Sequence, residues 1–473
     1  MPHMLASLAL LTAGITSVQS AHAGQQAVDA QQLGRFVDSV MHAEMKNAKI
    51  PGAAFVFVRD GRVVYMKGYG QADVTRGTTV DPERTVWRIG SITKTVTATA
   101  VMQLVDQGKL ALTDTVNQRL RSMKIRESFA PPITVRHLLT HSAGFDEIRP
   151  GTQVTSQDAV LPLATFLEPM LRQYAPPGQF PVYTTYAPTV GGLLIEDVSR
   201  MSYASFLQKN LFGPLQMHRT NVGAPPDRFL ADVAVGYELV GDTLQPQPWE
   251  WYHTEPASSV NSTAADMARY MLAHLGQGQL DGKRILSTSS ALAMQRSALR
   301  AHPLVPAVTL GFWEEYVGAL HVVEHGGNMA GFSAQLTLIP SENAGFFIVH
   351  HFERSNMRDN VRWAVLTHLY PAARERLPVP APRDDFATRA APYVGRYIPM
   401  TSCHTCQPPR ANYVMDVKVD GDALSFGGNR WIESEPGLFV QHKGTGRIAF
   451  IRNQKGDVAY LFAGSFWAFE KVP

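Results

Sequence analysis

The sequence predicts an α+β fold followed by a separate all-β domain, and three observations predict it. First, β-rich runs open and close the stretch from about 53 to 351, with helical patterns broken by Pro- and Gly-containing loops between them. Strands at both ends with helices between them imply termini that meet in one antiparallel sheet. Second, short alternating runs recur towards the C-terminus, beyond a segment rich in Pro, Arg and Ala. Third, 473 residues exceed one ordinary domain of roughly 100–200 residues. Composition narrows the class: 45% hydrophobic and 18% charged residues make a globular chain rather than a disordered or fibrous one. Lys+Arg 43 against Asp+Glu 40, with no basic block, disfavours nucleic acid as a partner. No segment repeats at a fixed period, which disfavours solenoids and propellers.

Taken in order, residues 5–18 form an apolar core ahead of Ala21-His22-Ala23, an Ala-x-Ala cleavage site. Residues 1–23 therefore read as an export signal, although its start offers only the α-amino group and His3 where Lys or Arg is usual. A periplasmic or secreted chain is the expectation, without a transmembrane segment once cleaved. Residues 53–70 are two β-rich runs joined by Asp60-Gly61, a hairpin signal. A helix follows from about Ile92 to Gln107, with Gly108 at its C′ position. Strand signals return at 311–325, 332–339 and 344–351, and an amphipathic helix at about 355–369 ends before Pro371. The main unit is thus expected at 24–372, a linker at 373–390, and a small antiparallel β-barrel or sandwich at 391–473. Cys403 and Cys406 are the only cysteines. In an exported chain they read as a small-loop disulfide, since the further ligands of a metal site with His404 are not apparent and Gln407 breaks a haem-attachment pattern.

Chemistry concentrates at 86–116. Ser91-x-x-Lys94 places a hydroxyl and an amine one helical turn apart on one face, at a helix N-terminus whose N–H groups favour negative charge. A desolvated lysine with a lowered pKa can activate such a serine. As a bare pair the motif reads better as a helix cap beside a solvated lysine. The sequence around it decides more. RIGSITKT followed by ATAVMQLVDQGKLALTD strongly resembles the serine β-lactamase and penicillin-binding superfamily, in its class C branch with related esterases and D-aminopeptidases. Four further segments resemble the same family in order: ITVRHLLTHSAGF (133–145), PPGQFPVYTTYAPTVGGLLIEDVSRMSYASFLQKNLFGPLQM (176–217), PASSVNSTAADMARYM (256–271) and VVEHGGNMAGFSAQLTLIPSENAGFFIV (322–349).

The resemblance implies a β-lactamase/transpeptidase-like fold over about 35–370 and acyl transfer without cofactor or metal. It makes Ser91 similar to the family's nucleophile, Lys94 to its activating amine and Tyr183 to its proton-shuttling tyrosine. His325-Gly326-Gly327 stands at the third motif, on a strand whose glycines allow close approach of a substrate. The implied oxyanion donors are the N–H groups of Ser91 and Asn328. His141 matches a position taken as structural, beneath the site.

Two departures bear on the substrate. Thr185 replaces the carboxamide of the family's Tyr-x-Asn, and a hydroxyl reaches less far with one donor. His325 stands where many β-lactamases carry Lys, so a fixed charge becomes one that titrates near neutral pH. Both favour small ester, amide or peptide substrates over β-lactams. The alternatives are a true class C-like β-lactamase, or a cell-wall-associated sensor that acylates without turnover; oligomeric state is open. His321-Val-Val-Glu324-His325 also fits a zinc pattern, but that chemistry needs a helix, and this run is β-branched and ends in two glycines. Gly-x-Ser-x-Gly is absent. The aromatic run Trp249, Trp251 and Tyr252 is the candidate wall of the acyl pocket.

Overall fold

The computed structural model describes residues 28–376, 378–381, 385–406, 413–465 and 467–472, so the expected export signal lies outside the described residues. Helix α1 (Ala30–Ala48) comes first, capped by the Asp29 carboxylate, which accepts from the N–H groups of Gln31 and Gln32. No element was expected here from sequence. Leu33, Val37 and Met41, four residues apart, bury one stripe of it. The hairpin follows as β1 (Gly52–Arg59) and β2 (Arg62–Asp73). Its turn residues Asp60 and Gly61 sit at φ 51° and 79°, the left-handed pair that a two-residue hairpin loop needs.

A short β3 (Thr78–Thr79) ends one edge, and four later strands complete the sheet: β4 (Trp313–Val317), β5 (Leu320–Met329), β6 (Phe332–Ile339) and β7 (Ala344–His351). The seven run in the order β4-β5-β6-β7-β1-β2-β3, with β1 paired antiparallel to β7, so both ends of the unit meet in one sheet. Both faces of β1 and β7 are buried, which makes the sheet the middle of three layers. Phe55, Phe57, Phe346 and Ile348 pack against α1 and the helix α5 (Met357–Leu369). Ala54, Val56, Leu336 and Val349 face the helical layer of α2 (Thr93–Asp106), α3 (Tyr186–Ser199) and α4 (Ala264–Leu275). Truncating one of these phenylalanines to Ala would cost about 3–5 kcal/mol.

Every residue of α2 from Thr93 to Leu104 is buried. A helix covered all round needs no polar stripe, which is why its Thr- and Val-rich sequence folds as a helix against its modest propensity. Gln107 caps it, and Gly108 follows at φ 66°, as expected from sequence. Beyond α5 the chain reaches an eight-stranded closed barrel, from Gly395–Pro399 to Trp467–Val472, whose first and last strands pair Tyr397 with Lys471. Tyr397, Phe439, Phe450, Leu461 and Phe469 fill it. Cys403 and Cys406 are joined in a disulfide in the loop after the first barrel strand. Among the described residues, no helix is long and apolar enough to cross a membrane.

Candidate active site

Two elements meet where the site lies. A 3-10 turn, Gly90–Ile92, leads into α2 and carries Ser91 at the mouth of the helix. Against it runs the second half of β5. Strand β4 pairs only with Leu320–Glu324, so His325–Met329 form an open edge of the sheet. The approach is close: a Cβ on Gly327 would stand 2.0 Å from the Ile89 carbonyl oxygen and 3.0 Å from the Ser91 nitrogen. Gly90, at φ 54°, would meet the backbone of Asn328 at 2.8 Å. Glycine at both positions lets the Ser91 turn and the strand edge lie side by side. The backbone nitrogens of Ser91 and Asn328 therefore belong to one cleft.

Lys94 is 2% exposed, and its Nζ lies 2.9 Å from Ser91 Oγ and 2.9 Å from the Ala257 carbonyl oxygen. Burial brings its pKa from 10.5 down to about 7; the carboxylate of Glu147 opposes the fall and the Arg149 guanidinium adds to it. Tyr183 shares a hydrogen bond with Ser91, and its ring centroid lies 5.0 Å from Lys94 Nζ. Burial raises its phenol well above the ordinary value of 10, so it stays protonated at neutral pH. His141 stacks on the Tyr183 ring at 4.8 Å and accepts from the Thr184 N–H at 3.2 Å. Burial holds the His141 pKa down at about 3, so it is a neutral support.

His325 corrects an expectation. Sequence alone suggested an imidazole that titrates near neutral pH. The side chain is instead fully buried, with Trp313 at a ring-centroid distance of 3.9 Å and its Nδ1 2.7 Å from the Gly326 carbonyl oxygen. Burial, with the nearby Lys94 amine, pushes its pKa well below 6.5. It supplies no partial charge at pH 7.

Thr185 differs in another way. Its hydroxyl donates to Glu147 Oε1 at 2.7 Å, so the one donor it could have offered is already committed. Glu147 went unnoticed in the sequence, as did Trp313 and Arg358. Arg358, on the first turn of α5, donates through Nη1 to Gly327 O, Asn328 Oδ1 and Ala334 O, and so ties down the strand edge. Gly326 lies beside the same guanidinium. Only the closeness of β5 to α5 could have revealed it. Trp249 and Tyr252 pack on the Arg88 guanidinium, at 4.5 and 5.7 Å, with the Trp251 ring tilted against Trp249 at 6.0 Å. They surround Arg88.

The zinc-like run is a strand, as its β-branched residues suggested. Glu324 pairs with Arg362 of α5, whereas His321 turns towards Glu314. Among the described residues no three His, Cys, Asp or Glu side chains group as a metal site.

Comparison with known proteins agrees with this architecture. The family model described as Beta-lactamase matches residues 37–370. Protein flp of Staphylococcus aureus (strain MW2) is 26% identical over 330 residues, 68% of this chain and 63% of that protein. Penicillin-binding protein 4 of Amycolatopsis lactamdurans is 30% identical over 262 residues, 52% of this chain and 65% of that protein. The chain thus spans somewhat under two thirds of the length of these relatives. Two solved structures match nearly end to end. SurE aligns with a TM-score of 0.68 at 22% identity, over 94% of this chain and 99% of that one. The octameric penicillin-binding protein homologue from Pyrococcus abyssi aligns with a TM-score of 0.62 at 24% identity, over 93% and 100%. At such identities these two likenesses speak for the fold alone.

Proposed function

This chain belongs to the Beta-lactamase family, and from that premise we propose that it is a serine hydrolase working through an acyl-Ser91 intermediate, with ester substrates preferred over β-lactams. The observation that carries the reading is the buried Lys94 amine, 2.9 Å from Ser91 Oγ and shifted down to about 7. At neutral pH a large fraction of it is uncharged, and an uncharged amine accepts the Ser91 proton as Oγ attacks the acyl carbon. The Ser91 and Asn328 N–H groups receive the negative charge that develops on the carbonyl oxygen. Tyr183, a neutral phenol beside both groups, donates a proton to the departing oxygen and is reprotonated from the Lys94 ammonium. Water then attacks the acyl carbon as the Lys94 amine takes its proton; the bond to Ser91 Oγ breaks, Oγ is reprotonated through the same groups, and the acid is released.

The ester preference has two supports. His325 is neutral at pH 7 and offers no charge to a β-lactam carboxylate, while Arg358 Nη1 is already engaged by three oxygen acceptors. With its proton donated to Glu147, Thr185 Oγ1 is left only as an acceptor and cannot grip an amide from both sides as a carboxamide does. A simple ester needs neither contact. The missing contacts are worth roughly 1–3 kcal/mol each, about ten- to a hundred-fold in rate.

The deciding experiment compares rates on p-nitrophenyl butyrate, nitrocefin and a D-alanyl amide, and maps the serine labelled by a fluorophosphonate. Ester turnover well above nitrocefin turnover, an adduct on Ser91 and no effect of EDTA are expected. An adduct on another serine would overturn the assignment; a single stoichiometric burst without turnover would favour a sensor. Export is part of the same reading, and the mature chain isolated from its host should then begin at Gly24.

A further inference from the structure

Tyr183 occupies an irregular stretch. Between Leu171 and Thr185 there is neither helix nor strand, so nothing local fixes the phenol beside Ser91. What brackets it is tertiary. On the near side, Val182 packs with Met400, Phe462 and Ala468 of the C-terminal barrel region. Tyr174 stacks on His404 at 4.2 Å and donates to the Met400 carbonyl at 3.1 Å. On the far side, Glu147 accepts from Thr184 Oγ1, the Thr185 N–H and Thr185 Oγ1 at 2.7–2.8 Å. Its chain neighbour Asp146, 1% exposed, accepts from the His404 N–H at 2.9 Å, the Thr405 N–H at 2.7 Å and Thr405 Oγ1 at 2.6 Å. Those donors all lie inside the loop closed by the Cys403–Cys406 disulfide. Two adjacent carboxylates thus face opposite ways, one to the barrel and one to the residues that follow Tyr183.

We propose that Asp146 and Glu147 are positioning residues through which the disulfide loop of the C-terminal barrel holds Tyr183 over Ser91. The proposal rests on the role given to Tyr183 above. It assigns the barrel a part in catalysis without placing a barrel residue on the substrate. Buried carboxylates that accept several charge-assisted hydrogen bonds hold geometry tightly, and proton transfer is sensitive to displacements well below 1 Å. Glu147 also acts on Lys94 through its charge, in a setting shared with Arg149, His141, Tyr183 and His325. Removing that charge alone should therefore make the Lys94 ammonium easier to deprotonate.

The test is kinetic, on the full chain with p-nitrophenyl butyrate from pH 5 to 9. Glu147→Gln keeps the shape and removes the charge. It should lower kcat by roughly 10–100-fold with KM changed little, and should move the acid limb of the profile to lower pH. A side chain that mattered only for stability would move neither kcat in the folded protein nor the limb. Thr405→Val removes one donor to Asp146 from the far side of the relay, and should lower kcat by about threefold or more. In the double variant the Thr405→Val effect should largely vanish, because the coupling runs through Glu147. A folded Glu147→Gln with wild-type kcat and an unmoved limb would overturn the proposal, as would fully additive losses. Should Glu147→Gln fail to fold, wild-type kcat in Thr405→Val overturns it alone. Failure of the acyl-Ser91 reading is seen separately, as turnover that survives Ser91→Ala.

Discussion

Lys94 at the mouth of α2 and His325 on the open edge of β5 face the same cleft, and both are buried. Both are bases, so desolvation drives both pKa values down. The consequences are opposite. The amine starts at 10.5 and arrives at about 7, where it can take a proton at physiological pH. The imidazole starts at 6.5 and is carried well below, where it no longer titrates in the working range. One physical cause therefore leaves the helix with an amine that can take up a proton near neutrality and the strand with an imidazole that stays neutral there. Burial makes a group useful only when its ordinary pKa lies on the far side of neutrality.

Variants and pH probe that contrast, beginning with the largest effect. Ser91→Ala should reduce ester turnover by at least about 10³-fold, since nucleophile and base act as a unit. Lys94→Ala should cost roughly 10²–10⁴-fold, and Lys94→Arg should be no better because a guanidinium stays protonated. Both are read as kcat/KM on p-nitrophenyl butyrate with thermal melts as the folding control. The pH profile gives a smaller but more discriminating change. The active form of Lys94 is the neutral amine, which gains population as pH rises through about 7. The rate should climb about tenfold per pH unit below that point and level off above it. A rate that instead fell between pH 6 and 8 would mean that a protonated His325 is required, and the contrast would be lost. The smallest effect is expected of His325→Gln: within about tenfold of wild type, with the acid limb in the same place. A shifted limb in that variant would show that His325 titrates where its burial says it should not.

How far the sequence could be read depended on the distance over which each feature is decided. The hairpin at Asp60-Gly61, the cap at Gly108 and the one-turn spacing of Ser91 and Lys94 are local, and the structure has each in place. Helix α1 is equally local in its Leu33, Val37 and Met41 stripe. The C-terminal strands were legible as alternating runs, but whether they close is a property of how the first strand meets the last, so barrel and sandwich could not be told apart. Glu147 could not be found from its surroundings, because its partners at 184 and 185 lie 37 and 38 residues away. The partners of Asp146 lie still further along the chain, 258 and 259 residues away.

The sequence by itself determined which chemical groups the protein owns and the family arrangement they follow: a serine and a lysine one turn apart, a tyrosine, and a histidine with two glycines on a strand. Only the tertiary structure decided their charge states and their freedom. Spacing along a helix or strand is a covalent property of the chain, so it can be read from residues alone. A pKa, or the engagement of a hydroxyl such as that of Thr185, depends on what surrounds the group, and at this site the surroundings come from segments distant in sequence: the 141–149 loop, the edge of β5, α5 and the barrel.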